Sequence, residues 1–334
     1  MQLMISNIVS NIKSNWLKLI RSKFEEFKLK LDPEKLESLK NPFEQSILFI
    51  LIFALAFGHV EAKTAESSID LRTKQDLRSK YDALAGQLKN NPFNREITIN
   101  SSETSSNLRG EIYAVVNYPF STVNAGLNSA GHWCDVLILH VNIKYCYAQP
   151  AKSTTAPSNT ILTVDLGKKY EQPLDDTYRV DFNYRQVAAQ PDYFAIALNA
   201  KDGPLGTYNY QILVEATPLD KQRSFLHFTY TYSFGLKGRV AMKTYLVTTG
   251  REKVGFTKVR EDNSYIQGVR GVIERNTMRY YLAIDAYLSA SNQEKRFANW
   301  YDSTDQYSRQ LKEVEREDYL AMKRKEYQRQ QTQQ

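Results

Sequence analysis

Between residues 178 and 234 apolar and polar side chains alternate with period two. Tyr178, Val180, Phe182 and Tyr184 fall on one side of an extended chain, and Arg179, Asp181, Asn183 and Arg185 on the other. That is the pattern of a strand with one buried and one solvated face. The alternation resumes in Tyr208, Tyr210, Ile212 and Val214 of a strand over 207–217. It resumes again in Leu226, Phe228, Tyr230, Tyr232 and Phe234 of a strand over 225–234. Strands are also predicted over 160–167 and 193–199. The connections at 189–192, 202–206 and 218–220 hold Pro, Gly and Asp and are only several residues long. Short turns of this kind join antiparallel neighbours into a meander, since parallel neighbours need long crossovers.

Around this block the period changes. Residues 66–90 carry Ile69, Leu77, Tyr81, Leu84 and Leu88 at helical spacing and stop near Asn90-Asn91-Pro92. Strand-like pieces follow at Ile97–Asn100 and Leu108–Val116. Asn117-Tyr118-Pro119 then opens a short helix from Phe120 to Asn128, proline being tolerated where a helix start needs no N–H. Gly126 to Gly131 reads as its stop, and an apolar stretch, Trp133–Val141, comes next. After the meander a helical period returns at Val240, Met242, Tyr245 and Leu246. Residues 255–268 suit a hairpin around Glu261-Asp262-Asn263. Val269–Ser289 forms a strong helix with Ile273, Thr277, Tyr280, Tyr281, Ile284 and Leu288 on one side. Residues 294–329 are highly charged with sparse apolar positions (Phe297, Trp300, Tyr307, Leu311, Val314, Tyr319), which predicts surface helices with a fraying, Gln-rich end.

The N-terminal pattern is of another kind. Ile47–Phe57 is an uninterrupted apolar run, too short for a membrane span and suited to the core of a secretory signal. Val60-Glu61-Ala62 supplies a small-x-small end, so residues 44–62 read as a signal peptide cleaved after Ala62. Residues 1–43 are far longer than an ordinary leader start. Within them residues 5–31 read as a basic amphipathic helix on an anionic membrane face; alternatively the whole is a segment upstream of the true start. The protein is therefore expected in the periplasm or otherwise exported, with inner-membrane anchoring if the signal stays attached.

Composition narrows this further. Without residues 1–62, the remaining part of the 334-residue chain keeps 36 Lys/Arg and 30 Asp/Glu. These charges are interleaved, lacking the basic stripe that nucleic-acid binding needs. A membrane surface remains a loose electrostatic partner. Cys134 and Cys146 are the two cysteines. An even pair in an exported chain usually oxidises, and a loop this short contributes about 3 kcal/mol when closed.

One strand, two short helices, an antiparallel run and a late helix make an α+β layout in which the helix must cover the sheet's apolar face. At Glu111–Val116, Tyr118-Pro119-Phe120-Ser121-Thr122-Val123, Gly131-His132-Trp133, the meander from Tyr178 to Phe234 and the helix after it, the chain resembles the START-like, polyketide cyclase-like (SRPBCC) helix-grip superfamily. There the first strand is followed by a proline-led helix start, and a tryptophan follows the start of the second helix. The stretches HWCDVLILHVNIKYC, DGPLGTYNYQILVEA, SFLHFTYTYSFG and GVRGVIERNTMRYYLAIDAYL are also similar to a bacterial exported family with no assigned chemistry. The resemblance implies a curved antiparallel sheet packed on a long C-terminal helix over residues 95–291. A leading helix region at 63–94 precedes that domain and a charged helical tail at 292–334 follows it.

Such folds hold an apolar ligand between sheet and helix. The implied lining is Trp133, Tyr178, Phe182, Tyr208, Tyr210, Phe228, Tyr230, Tyr232 and Tyr281, which would face a hydrophobic or amphipathic small molecule, a lipid included. The alternative is that these rings fill a solid core. Polar candidates are His132, Asp135, Arg179, Arg270 and Glu274. His132, Asp135 or Arg179 could serve a cyclase or hydrolase chemistry in the same cavity. Arg270 and Glu274, an i,i+4 pair, could form a headgroup site at its mouth or simply an ion-paired helix face. His227 reads as a sheet-surface or cross-strand residue. His132, Asp135 and His140 lack metal-ligand spacing, and no G-x-G-x-x-G, P-loop, HExxH or CxxC is present, so neither cofactor nor metal is expected. A third reading makes the protein an envelope interaction module that docks through its charged C-terminal helix.

Overall fold

The computed structural model describes residues 74–149, 160–247, 253–259 and 263–332. The expected signal peptide and the segment before it lie outside the described residues. In chain order the elements are α1 (Lys74–Lys89), β1 (Ile97–Glu103), β2 (Asn107–Val116), α2 (Phe120–Leu127), α3 (Ala130–Leu137), β3 (Ile143–Ala148) and β4 (Thr160–Leu166). Next come β5 (Tyr178–Gln190), β6 (Tyr193–Asp202), β7 (Thr207–Pro218), β8 (Ser224–Phe234), α4 (Leu236–Val247) and α5 (Gly268–Ser289). The chain continues through α6 (Gln293–Asp305), α7 (Ser308–Leu311) and α8 (Arg316–Thr332).

All eight strands join one antiparallel sheet in the order β1-β2-β8-β7-β6-β5-β4-β3. The meander runs from β3 to β8, whose last strand pairs with β2. The helices α2 and α3 carry the chain from β2 across to β3 at the far edge. The sheet curves around α5, which packs on β1, β2 and β8. This is the helix-grip fold, with β1 as an added edge strand. The helix comes close at Gly110 of β2, where a Cβ would clash with the Thr277 side chain and meet Ile273 Cγ1 at 3.2 Å.

The disulfide between Cys134 and Cys146 is formed and joins α3 to β3. Trp133 sits beside it, and its indole N–H donates to the carbonyl of Leu127 at 2.7 Å, tying α3 to the end of α2. The strand β3 is hard to read because the apolar run from Trp133 to Val141 leads into it: helix and strand are separated by residues 138–142 alone, too few for the period to reset.

Two further expectations change. The outer face of the sheet is not simply solvated. α1 lays Leu77, Leu84 and Leu88 on it, against Tyr113, Val115, Tyr193, Ala195 and Phe225, with Tyr81 edge-on to Phe225 at 5.2 Å. The central strand β8 is consequently buried on both faces.

The charged tail is not a surface appendage either. In α8, Tyr319, Leu320, Met322, Lys323, Glu326 and Gln330 are buried. Trp300 of α6 stacks on Tyr319 at 4.9 Å, and the Tyr319 hydroxyl donates to Leu139 O at 2.7 Å. Lys323 Nζ donates to the carbonyls of His140 and Ile143, both at 2.8 Å. Glu326 accepts from Lys323 at 2.7 Å and Lys144 at 2.9 Å. Gln330 Oε1 accepts from the backbone N–H of Cys146 at 3.1 Å. These side chains satisfy the open edge of β3, which an unprotected edge strand would leave available for aggregation. Burial holds the Lys323 ammonium down to about 8. A tail held this way is part of the fold rather than a surface appendage.

The segment 253–266 does contain a hairpin-like ladder: Ile266 N donates to Thr257 O at 2.8 Å and Gly255 N to Ile266 O at 2.7 Å, although residues 260–262 at its tip are outside the described residues.

Candidate functional site

On the inner face, strand alternation brings together the rings that the sequence points to. Tyr210 of β7 stacks on Tyr232 of β8 with centroids 5.2 Å apart. The adjacent cross-strand pair is Gln211 with Thr231. Tyr230 lies 6.2 Å from Tyr210 and 5.2 Å from Tyr280 of α5. Phe182 of β5 meets Tyr210 edge-on at 6.3 Å, and Phe228 meets Tyr280 at 6.3 Å. Three strands and the gripped helix therefore supply one aromatic cluster. Offset and edge-on contacts of this kind stabilise beyond area burial.

The hydroxyls set its chemistry. Tyr210 is within 2.7 Å of Thr207 Oγ1; burial pushes its phenol up to about 12. The neighbouring Tyr184 hydroxyl is buried with no hydrogen-bond partner among the described residues, and burial pushes it up to about 12. Tyr230 rises well above its ordinary value, first by burial and then through Tyr210, Tyr280 and Tyr232. These phenols stay protonated at neutral pH. The face is thus an apolar surface studded with neutral donors and poor at abstracting protons.

Other sequence-predicted residues are placed elsewhere. Tyr178 is the first residue of β5 and is 50 % exposed. Tyr208 is 36 % exposed. A bulge between Tyr208 and Gln211, with Asn209 at a φ of 51°, breaks the alternation that would have aligned it with Tyr210. Trp133 is buried in the α2–α3 corner. Tyr281 is buried but turned away from Tyr280's cluster, toward Arg95 and Asp285. Tyr184 and Tyr280 were not singled out, although Tyr184 is the next inner-face position after Phe182. Choosing Tyr280 over Tyr281 requires the rotation of α5 about its axis, which two adjacent tyrosines do not reveal.

The polar candidates do not converge on one site; only Arg270 and Glu274 meet, through Ser101 Oγ. His132 is exposed, with Nδ1 3.2 Å from Ala125 O. Asp135, three residues along α3, lies 3.7 Å from Arg296 of α6, and burial raises its carboxyl. Arg179 is mostly exposed and pairs with Asp165 at 3.2 Å. Arg270 donates to Ser101 O at 2.9 Å and Ser101 Oγ at 3.2 Å. Glu274 is fully buried. It accepts from Ser101 Oγ at 2.6 Å and from the backbone N–H groups of Phe256 and Thr257 at 2.6 and 2.9 Å. It is an anchor for the 253–259 segment. Among the described residues, no group of three His, Cys, Asp or Glu side chains is arranged to hold a metal ion.

The outer face carries a second polar arrangement. His227 of β8 is buried between Glu215 of β7, 2.7 Å from Nδ1, and Glu111 of β2, 2.8 Å from Nε2. Tyr193 of β6 donates to Glu215 at 2.6 Å, and the imidazole stacks on Tyr113 at 4.3 Å. With a carboxylate at each ring nitrogen, both nitrogens must donate unless one carboxyl is protonated. Burial alone would raise Glu111, but hydrogen bonding and charge from His227, with help from Arg109, hold its carboxyl down to about 2. The network clamps four neighbouring strands beneath α1.

No family model matches this chain, and no curated protein does. Solved structures do. The chain is similar to the Zhui aromatase/cyclase from Streptomyces sp. R1128, at 12 % identity over 55 % of this chain and 91 % of that one, with a TM-score of 0.35. It is similar to a START superfamily protein from Mycobacterium smegmatis at 12 % identity over 43 % and 90 % respectively, TM-score 0.30. It is also similar to norcoclaurine synthase from Thalictrum flavum at 15 % identity over 44 % and 80 %, TM-score 0.30.

Proposed function

Starting from the helix-grip fold, we propose that this protein is an exported, non-catalytic binder of a small apolar or amphipathic molecule, held between the inner face of the sheet and α5. The observation that carries this reading is the Tyr184 hydroxyl, buried beside the ring cluster without a partner. A buried donor left unpaired costs about 1–3 kcal/mol, and an acceptor oxygen on a bound amphipath would relieve that cost. Export is the second half of the reading. It is supported by the apolar run at 47–57 and by the disulfide, which persists in oxidising compartments. A lipid is the natural ligand class for such an envelope protein.

The test is native mass spectrometry of the protein purified from an envelope fraction, alongside titration with the fluorescent apolar probe 1-anilinonaphthalene-8-sulfonate. A co-purifying mass adduct and saturable probe binding, weakened in Tyr184→Phe, are expected. Absence of both an adduct and saturable binding overturns the reading.

A further inference from the structure

A cleft of about 560 Å³ opens on the other side of α5, between the end of α1, the start of β1 and the end of β2. It lies within the roughly 300–1,000 Å³ range of ligand clefts. Buried Val115, Val116 and Tyr281 contribute to its lining. It is separate from the tyrosine cluster, because adjacent residues of α5 serve the two places: Tyr280 the cluster and Tyr281 the cleft.

The cleft's charges cancel. The lining holds two charges of each sign, Lys89 and Arg95 with Glu96 and Asp285, so its formal charge is zero. Arg95 is already engaged, donating to Asp285 Oδ2 at 2.5 Å and Ser303 Oγ at 3.0 Å. The Tyr118 hydroxyl lies 3.4 Å from Asp285 Oδ1. Asp285 is thereby oriented with acceptor capacity remaining, a carboxylate having about four lone-pair sites. At the rim Asn94 and Asn117 are exposed, and no hydrogen bond among the described residues occupies their carboxamides. Asn94 sits at a φ of 53°, a left-handed conformation that asparagine tolerates. Each amide offers donors and an acceptor side by side.

Exposed amides, an oriented carboxylate and a tyrosine ring match a ligand whose groups both donate and accept. Hydroxyl groups on a sugar ring do this; acyl chains do neither, and an ionised phosphate would bring its negative charge to Asp285 while Arg95 is already engaged. We propose that this cleft binds a neutral saccharide of one or two rings. The inference stands apart from the inner-face reading, since neither needs the other's residues.

The experiment is isothermal titration of the full chain with cellobiose, with N,N′-diacetylchitobiose and with inorganic phosphate, each in the presence and absence of 1-anilinonaphthalene-8-sulfonate. At least one disaccharide should saturate one site with a dissociation constant on the order of millimolar, unaffected by the apolar probe, while phosphate should not. The double variant Asn94→Gly/Asn117→Ala keeps the left-handed turn and removes both exposed amides. It should melt as the parent does and bind at least about tenfold more weakly. Saturation by neither disaccharide, preferential binding of phosphate, or unchanged affinity in the double variant each overturns the proposal.

Discussion

At His227 one imidazole touches two carboxylates that belong to strands on either side of it. The Glu111 carboxyl is held at about 2 in the folded protein against an ordinary value of 4.5. A depressed carboxyl contributes stability that is complete above its unfolded value and lost as pH falls through the folded one. Folding stability should therefore decline between about pH 4.5 and 2, and Glu111→Gln, which keeps an acceptor for His227 but no charge, should flatten that decline. Urea unfolding across a pH series checks it; an acid limb as steep in the variant as in the parent contradicts it. The sequence placed His227 opposite Phe228 and Tyr230, which is correct, because alternation within a strand is local. It did not identify Glu111, 116 residues away, as a partner, because strand order decides which residues face one another across a sheet.

Among the elements, α5 and α8 are gripped in different ways. α5 approaches β2 at Gly110, where backbone and helix come together without an intervening side chain. Gly110→Ala should destabilise the protein by about 1–3 kcal/mol through overpacking, with partial recovery in Gly110→Ala/Thr277→Ala, which removes the nearest atom. Chemical unfolding of both variants measures it. α8 covers the edge of β3 and supplies Glu326 as counter-ion to Lys144, whose side chain is fully buried. Removing residues 316–334 exposes Tyr319's bed and the Lys144 side chain together, losing the packing of α8 and its hydrogen bonds to β3. The melting temperature should fall on the order of 10 °C. An unchanged melting temperature would return α8 to the role of a free appendage. The tail's pattern read as a surface because its buried stripe is built from Lys323, Glu326 and Gln330 as well as Tyr319 and Met322. A binary apolar/polar reading counts those three as solvated, and only the mutual pairing of the lysines and the glutamate lets them be buried.

For the whole molecule, one covalent link joins the α2–α3 corner to the far edge of the sheet. Because β3 receives α8 on its outer edge and the disulfide on its inner side, Cys134→Ala/Cys146→Ala should cost about 3 kcal/mol, measured by urea unfolding of the oxidised parent against the double variant. Equal midpoints would mean that packing alone holds this edge. The sheet has helices on both faces, α1 outside and α5 inside, so the proposed ligand's access depends on the loops at the ends of the strands rather than on an open face.

What the sequence determined by itself was whatever depends on neighbours along the chain: the period-two strands from Thr160 to Phe234, the Pro119 helix start, the long helix ending at Ser289 and the spacing of the two cysteines. Those patterns suffice for the α+β class; the helix-grip arrangement is what the resemblance of their order to the START-like superfamily implies. Tertiary structure alone decided which of Tyr280 and Tyr281 faces the sheet, that Tyr208 drops out of the inner face, and that Glu274 and Lys323 are buried anchors. It also brought Arg95, Tyr118 and Asp285 together around one cleft. The physical reason is common to all of these: rotation of a helix, a one-residue bulge and the pairing of buried charges are fixed by contacts between residues far apart in the chain, and local periodicity carries no record of them.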